Sequence, residues 1–178
     1  ALLLCGAAVG AVAANATYTN SADDDEAGQV IQWAQPENDL KETLALVRGV
    51  ARVNDGTDVV FLGTHTPGNP SDVRFYVANE SSLRQPRPGG PSWHTRLPLP
   101  WYLERYGANV TSTPPDDKTL GESPPPVIVA ADWDADEVDR QVSGYTRHRH
   151  DFRLWSDEIV VFVEDDALGR AREQGYVD

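Results

Sequence analysis

Residues 127–164 read VIVAADWDADEVDRQVSGYTRHRHDFRLWSDEIVVFVE, and this stretch decides the fold. It begins with Val127–Ala131, a short apolar run after three prolines that predicts a buried strand. The following residues predict a helix over Ala135–Ser143. Two further runs, Tyr145–Leu154 and Glu158–Glu164, predict an antiparallel strand pair. Strand, helix and hairpin in this order indicate a layered α/β domain with a mixed sheet.

The segments upstream and downstream extend this alternation of helices and strands. Apolar residues recur at helical spacing before residue 54, and a short helix can open on a proline near residue 100. The prolines between Arg84 and Pro98 exclude a helix or a central strand there. The predicted flanking elements are helix Leu40–Val53, strand Asp58–Thr64, strand Val73–Asn79, a short helix from Pro98 or Pro100 to Gly107, and helix Asp165–Gln174.

The first fourteen residues, ALLLCGAAVGAVAA, carry no charge and predict the end of a transmembrane helix over residues 1–14. A helix of this length spans about 21 Å, which is less than the roughly 30 Å of a hydrocarbon core. A signal-peptide core cleaved near Ala14 is the alternative. Residues 15–38 predict a polar, acidic linker, and residues 39–178 predict one soluble extracytoplasmic α/β domain. The absence of methionine adds the expectation that the chain is a fragment of a longer membrane protein.

The chain is strongly acidic, because 28 Asp and Glu residues outnumber 15 basic residues and leave a net charge of −13. A surplus of this size repels phosphate backbones, so nucleic acid is not an expected partner. The basic residues comprise 13 Arg and 2 Lys. This composition predicts a salt-adapted, halophilic surface, since concentrated salt screens like charges. The single cysteine, Cys5, excludes an intrachain disulfide and a cysteine-based zinc site.

No strong catalytic motif is present, and two weaker clusters have simpler explanations. Asp132, Asp134 and Asp136 follow a strand and could hold a divalent ion, but capping of the next helix explains them better. His148 and His150 would share one face of a strand and could bind zinc, but an exposed edge strand is the simpler interpretation. A metal-dependent hydrolase is therefore a minor alternative, and we predict no catalytic residue and no metal site.

A third cluster combines aromatic and basic side chains between residues 93 and 106. Aromatic rings beside Arg and His on a proline-stiffened segment suit stacking on a sugar or binding of an anion. The alternative is a loop that Trp101, Leu103 and Tyr106 attach to the core. The six residues predicted to bind a ligand are Trp93, His94, Arg96, Trp101, Tyr102 and Arg105.

Three N-glycosylation sequons agree with a location outside the cytoplasm. They begin at Asn15, Asn79 and Asn109, and each has Ser or Thr two positions later. We predict these three asparagines as candidate glycosylation acceptors.

Four stretches of the chain resemble, in order, the C-terminal part of a family of archaeal membrane proteins. The family comprises the flippase-activity-associated proteins of the N-glycosylation pathway, which are similar to dolichyl-phosphate-mannose-protein mannosyltransferases. The haloarchaeal members are the nearest in type. The matching stretches are QWAQPENDLKETL (32–44), LPLPWYLERYG (97–107), PPPVIVA (124–130) and GYTRHRHDFRLW (144–155).

The resemblance implies a parent protein with many membrane helices and a glycosyltransferase-like activity. It implies a dolichyl-phosphate-linked sugar and a divalent cation for that parent, with acidic catalytic residues near its N-terminal end, outside this chain. The chain itself would be a non-catalytic domain on the external face of the cell membrane. It would have no cofactor of its own and would contact the membrane through its N-terminal segment, with a lipid-linked sugar as a further partner. A singly anchored extracellular module that binds a sugar or an anion is the alternative.

Overall fold

The computed structural model of the chain describes residues 38–78, 92–152 and 157–178. The predicted transmembrane end over residues 1–14 lies outside these residues, and so does nearly all of the predicted linker. Asn15 and Asn79, which begin two of the three sequons, also lie outside them. Within the three described ranges, none of the helices is both long enough and apolar enough to cross a bilayer.

Short helices and strands alternate along the described chain. The helices are α1 (Asn38–Val53), α2 (Leu99–Tyr106), α3 (Ala135–Gln141) and α4 (Asp165–Glu173). Single 3-10 turns occur at Trp93–Arg96 and Asp132–Asp134. The strands are β1 (Val59–Phe61), β2 (Thr64–Thr66), β3 (Asn69–Arg74), β4 (Val110–Ser112), β5 (Val127–Ala131), β6 (Tyr145–Phe152) and β7 (Asp157–Glu164).

A five-stranded mixed sheet organises the domain, with the strand order β4-β1-β5-β7-β6. β1 pairs in parallel with β4 on one side and with β5 on the other. β7 runs antiparallel to both β5 and β6. β2 and β3 form a separate antiparallel hairpin. The predicted α/β class, the mixed sheet and the antiparallel pair at one edge are thus confirmed.

The central strands are apolar on both faces because helices cover both sides of the sheet. In β7, Ile159, Val161 and Val163 belong to a core that includes buried residues of α1, α2 and α4. The alternate residues Val160 and Phe162 belong to a second core, which α3 and the loop before β5 complete. A strand that is buried on both faces has a continuous run of apolar residues, which explains the sequence pattern EIVVFVE.

Two predicted boundaries are wrong for local reasons. The strand expected over Val73–Asn79 is β3, which ends at Arg74, because Phe75 adopts a left-handed conformation with φ of 64°. The backbone amide of Phe75 donates to Thr95 Oγ1 at 2.9 Å, which fixes this departure from the strand. The proline-rich segment was expected to lack helix before Pro98, yet residues 93–96 form a 3-10 turn, because none of these four residues is proline.

Candidate functional site

The turn at 93–96 and helix α2 carry all six predicted ligand-binding residues, but they do not present them together. Among the residues that the structure describes, Arg96 is the largest fully buried side chain, with 1% of its surface exposed. Its Nε donates to the carbonyl oxygen of Phe75 at 2.7 Å, and its guanidinium lies 4.3 Å from the centre of the Phe61 ring. Arg96 therefore packs in the core beneath the predicted site and does not face a ligand there. Trp93 is half-buried and His94 is exposed on the same turn.

Helix α2 presents the other three predicted residues at the surface. Trp101 is 67% exposed, so it does not attach the segment to the core. Leu103 is buried in the core and Tyr106 packs against it, so these two residues confirm that part of the alternative. Arg105 follows one helical turn later and is exposed as well. Tyr102 is half-buried, and its ring centre lies 6.4 Å from that of Tyr106. The helix ends at Gly107, which takes the left-handed conformation that the sequence predicts for it.

A row of basic residues lies on α1, which packs against α2, and it was not predicted from the sequence. Lys41, Arg48 and Arg52 are exposed and lie at positions i, i+7 and i+11, which places them on one face of the helix. We call these three residues the basic stripe. Their spacing within a predicted helix was the signal that could have found them. The Arg52 guanidinium lies 5.3 Å from the centre of the Tyr176 ring.

Arg48 of the basic stripe and Arg105 of α2 act together on the phenol of Tyr106. Helices α1 and α2 pack against each other. Burial raises the pKa of Tyr106, while the positive charges of Arg48 and Arg105 act in the opposite direction. Both guanidinium groups are therefore close enough to Tyr106 for their charges to act on it. The result is one surface on which exposed arginines from two helices flank aromatic rings.

A second polar cluster lies where β1 and β5 end, and we call it the carboxyl edge: Thr64, Trp133, Asp132, Asp134 and Lys118. After β1 the chain returns to the sheet as β4, on one side, and after β5 it returns as β6, on the opposite side. Open α/β sheets often bind ligands where neighbouring strands connect in opposite directions in this way. Here the polar groups mainly contact one another. The Trp133 indole lies 3.4 Å from Thr64 Oγ1, and Lys118 Nζ donates to Asp134 Oδ1 at 2.5 Å.

The helix-capping role predicted for Asp132 or Asp134 is confirmed for the position of Asp134 but not for its hydrogen bonding. Asp134 occupies the N-cap position of α3, yet its side chain makes no capping hydrogen bond. Asp132 instead forms an ion pair with Arg149, which also contacts Glu158 at 3.0 Å. Charged partners from neighbouring strands are stronger competitors for a carboxylate than a backbone amide one turn away.

The two histidines of β6 occupy different environments on the same side of the strand. His150 is buried and links β6 to the first two turns of α1: its Nε2 lies 2.9 Å from Thr43 Oγ1 and its Nδ1 lies 3.0 Å from Asp39 Oδ2. His148 is half-buried, and its Nε2 has no hydrogen-bond partner. Across the described ranges, no three His, Cys, Asp or Glu side chains are grouped so that they could hold a metal ion.

The state of His148 predicts a pH dependence of stability. Burial and the neighbouring His150 lower the pKa of His148 below its usual 6.5. The unfolded chain therefore binds this proton at higher pH than the folded domain, so stability is lost as the pH falls below about 6.5. We expect His148→Gln to reduce the loss of stability between about pH 7 and about pH 5. Urea unfolding of both proteins at the two pH values measures it, and an identical loss in both would contradict the assignment.

Asn109 is the one sequon asparagine within the described ranges, and it is exposed just before the edge strand β4. Its side-chain amide donates to the carbonyl oxygen of Gly56 at 2.8 Å. Its backbone amide donates to Asp58 Oδ2 at 2.7 Å. The side chain is therefore at the surface but hydrogen-bonded to the preceding turn.

Comparison with known proteins identifies the family of the chain. No curated protein matches the sequence. No solved structure matches it either. Residues 40–165, which run from the first turn of α1 to the start of α4, match the Agl23 flippase-associated protein C-terminal domain. The resemblance inferred from the four sequence stretches is thereby confirmed, and the chain belongs to the family of Agl23 flippase-associated protein C-terminal domains.

Proposed function

We propose that the chain is the extracytoplasmic C-terminal domain of a polytopic, glycosyltransferase-like membrane protein that acts in archaeal protein glycosylation with lipid-linked sugars. In this proposal the domain is non-catalytic by itself and faces the salt-rich exterior of a halophilic cell. The family match over residues 40–165 is the observation that carries the proposal, because it assigns this domain to a flippase-associated glycosylation protein. The matched residues lie within the domain that the sequence predicts over residues 39–178.

Two properties of the chain support the finer parts of this proposal. The uncharged segment over residues 1–14 precedes the domain and has the composition of a membrane span. The polar groups at the carboxyl edge, where an α/β enzyme would be expected to place reacting groups, pair with one another or, for Asp132, with Arg149 of β6. The domain therefore suits a supporting role, such as holding an acceptor or a lipid headgroup for the rest of the protein.

The external location is testable with a single engineered thiol. Cys5 is the only cysteine in these 178 residues, so Cys5→Ser removes the one thiol of this part of the protein. Asp136 is exposed on α3, and Asp136→Cys in this background introduces one accessible thiol into the domain. We expect a membrane-impermeant maleimide to label this variant in intact cells more strongly than the Cys5→Ser background, which controls for thiols elsewhere. Labelling only after lysis would contradict the location, and sugar transfer by the purified chain alone would contradict the non-catalytic role.

A second candidate function is that of a singly anchored module that binds a sugar or an anion. The exposure of Trp101 beside Arg105 favours it, because an exposed indole next to a guanidinium is suited to stacking and to anion binding. The residues proposed for this role at the surface are Trp93, His94, Trp101, Tyr102 and Arg105. Arg96 would contribute from below by holding the turn that carries Trp93 and His94.

A further inference from the structure

The surface shared by α1 and α2 has a charge opposite to that of the whole chain. It carries four exposed basic residues, namely the basic stripe and Arg105, and three exposed carboxylates, Asp39, Glu42 and Glu104. In the full chain, by contrast, 28 acidic residues outnumber 15 basic ones. A negatively charged partner is attracted to a basic face on an acidic molecule and is repelled by the other faces, so it binds in one orientation.

The same surface carries an exposed indole, which adds a second kind of recognition. Trp101 projects from α2 with 67% of its surface exposed, and Arg105 lies on the same helical face. Tryptophan has an apolar ring and a polar N–H, and for this reason it is enriched where lipid headgroups meet the hydrocarbon core. Arginine forms bidentate hydrogen bonds with phosphate, so these direct contacts persist at short range where salt has screened distant charges.

The position of this surface along the chain indicates which anionic partner it meets. α1 begins at Asn38, directly after the linker that follows the predicted membrane segment. A domain tethered in this way remains at high local concentration near the bilayer, so weak contacts with lipid are sufficient to orient it. The geometry points to a membrane-docking face in which Arg48, Arg52 and Arg105 bind lipid phosphates and Trp101 enters the headgroup layer. This inference rests on the proposed function, because the membrane segment that tethers the domain is part of that proposal.

The inference can be tested with the full chain added to phosphatidylglycerol vesicles that contain brominated lipid, which quenches tryptophan on contact. The contribution of Trp101, which we call the Trp101 signal, is the part of the quenching that is lost in the variant Trp101→Phe. We expect the variant Arg48→Glu/Arg105→Glu to bind the vesicles about 25-fold more weakly and to lose this signal accordingly, since each of the two basic residues contributes a factor of about five near an anionic surface. The matched control is Arg140→Glu/Arg147→Glu, which reverses two exposed arginines on and beside α3, and it should retain the signal.

The outcomes separate this inference from the proposed function. Retention of the chain in vesicles after an alkaline wash reports on the predicted membrane segment, whereas the Trp101 signal reports on the docking face. Quenching that is absent, or equal in the two double variants, would overturn the docking face whether or not the chain is retained. A change of Trp101 fluorescence with mannose in solution, without quenching by vesicles, would also overturn it and would favour the sugar-binding module.

Discussion

Gly63→Ala is expected to destabilise the domain by about 3 kcal/mol, the upper end of what overpacking a core costs. Gly63 is buried between β1 and β2, and a Cβ at this position would lie 2.2 Å from the carbonyl oxygen of Thr113 and 3.2 Å from the backbone nitrogen of Pro115. Both are backbone atoms, so neither can rotate away as a side chain would. A loss of this size lowers the melting temperature by about 6 to 12 °C, which thermal unfolding followed by circular dichroism measures.

Gly169→Ala is the matched control for this prediction, because the same substitution should have the opposite effect there. Gly169 lies inside α4, and a Cβ added to it meets no atom within 4 Å. Alanine favours the helical conformation over glycine by about 1 kcal/mol, so this variant should be slightly more stable than the parent. Equal melting temperatures for Gly63→Ala and the parent would show that the backbone at residue 113 yields, contrary to our expectation.

Arg96→Ala is expected to cost about 4 kcal/mol, although arginine is usually a surface residue. The change removes a fully buried side chain and leaves a cavity beside the Phe61 ring. It also removes the donor to the carbonyl oxygen of Phe75, and an unsatisfied buried carbonyl costs about 1 to 3 kcal/mol. The midpoint of urea unfolding measures the loss, and the absence of a cooperative transition would be its extreme form.

Arg105→Ala provides the comparison, since it removes an exposed arginine from the adjacent helix. Changes at exposed positions of this kind are usually within about 0.5 kcal/mol. The two variants thus distinguish a residue that builds the site from one that presents a charge at it. Similar unfolding midpoints for both would indicate that Arg96 is a surface residue in solution and would contradict the buried position.

The elements that follow from local patterns were predictable from the sequence. β5 and β7 are continuous apolar runs, and α2 ends at Gly107 as its left-handed preference requires. β4 was not predictable, because the three residues VTS carry no alternation of their own. They become a strand only through parallel pairing with β1, whose residues lie some fifty positions earlier in the chain. Phe75 was missed for a related reason, since its left-handed conformation depends on contacts with Thr95.

The candidate site was predictable where it depends on one helix and not where it depends on two. Trp101 and Arg105 are exposed neighbours on α2, and the sequence indicated both. The burial of Arg96 requires Phe61 and Phe75, which lie in other parts of the chain and supply a ring face and a carbonyl group. The basic stripe was present in the helical spacing, but its relevance emerged only when α2 was seen to pack beside it.

The attachment of α1 to β6 through His150 has a consequence for the lifetime of the folded domain. The Thr43–His150 contact joins residues that are 107 positions apart. Contacts of such separation carry a cost in loop-closure entropy, so they are expected to form late in folding. Interactions that form after the transition state act mainly on the rate of unfolding. We therefore expect loss of this contact, as in Thr43→Ala, to accelerate unfolding more than it slows folding.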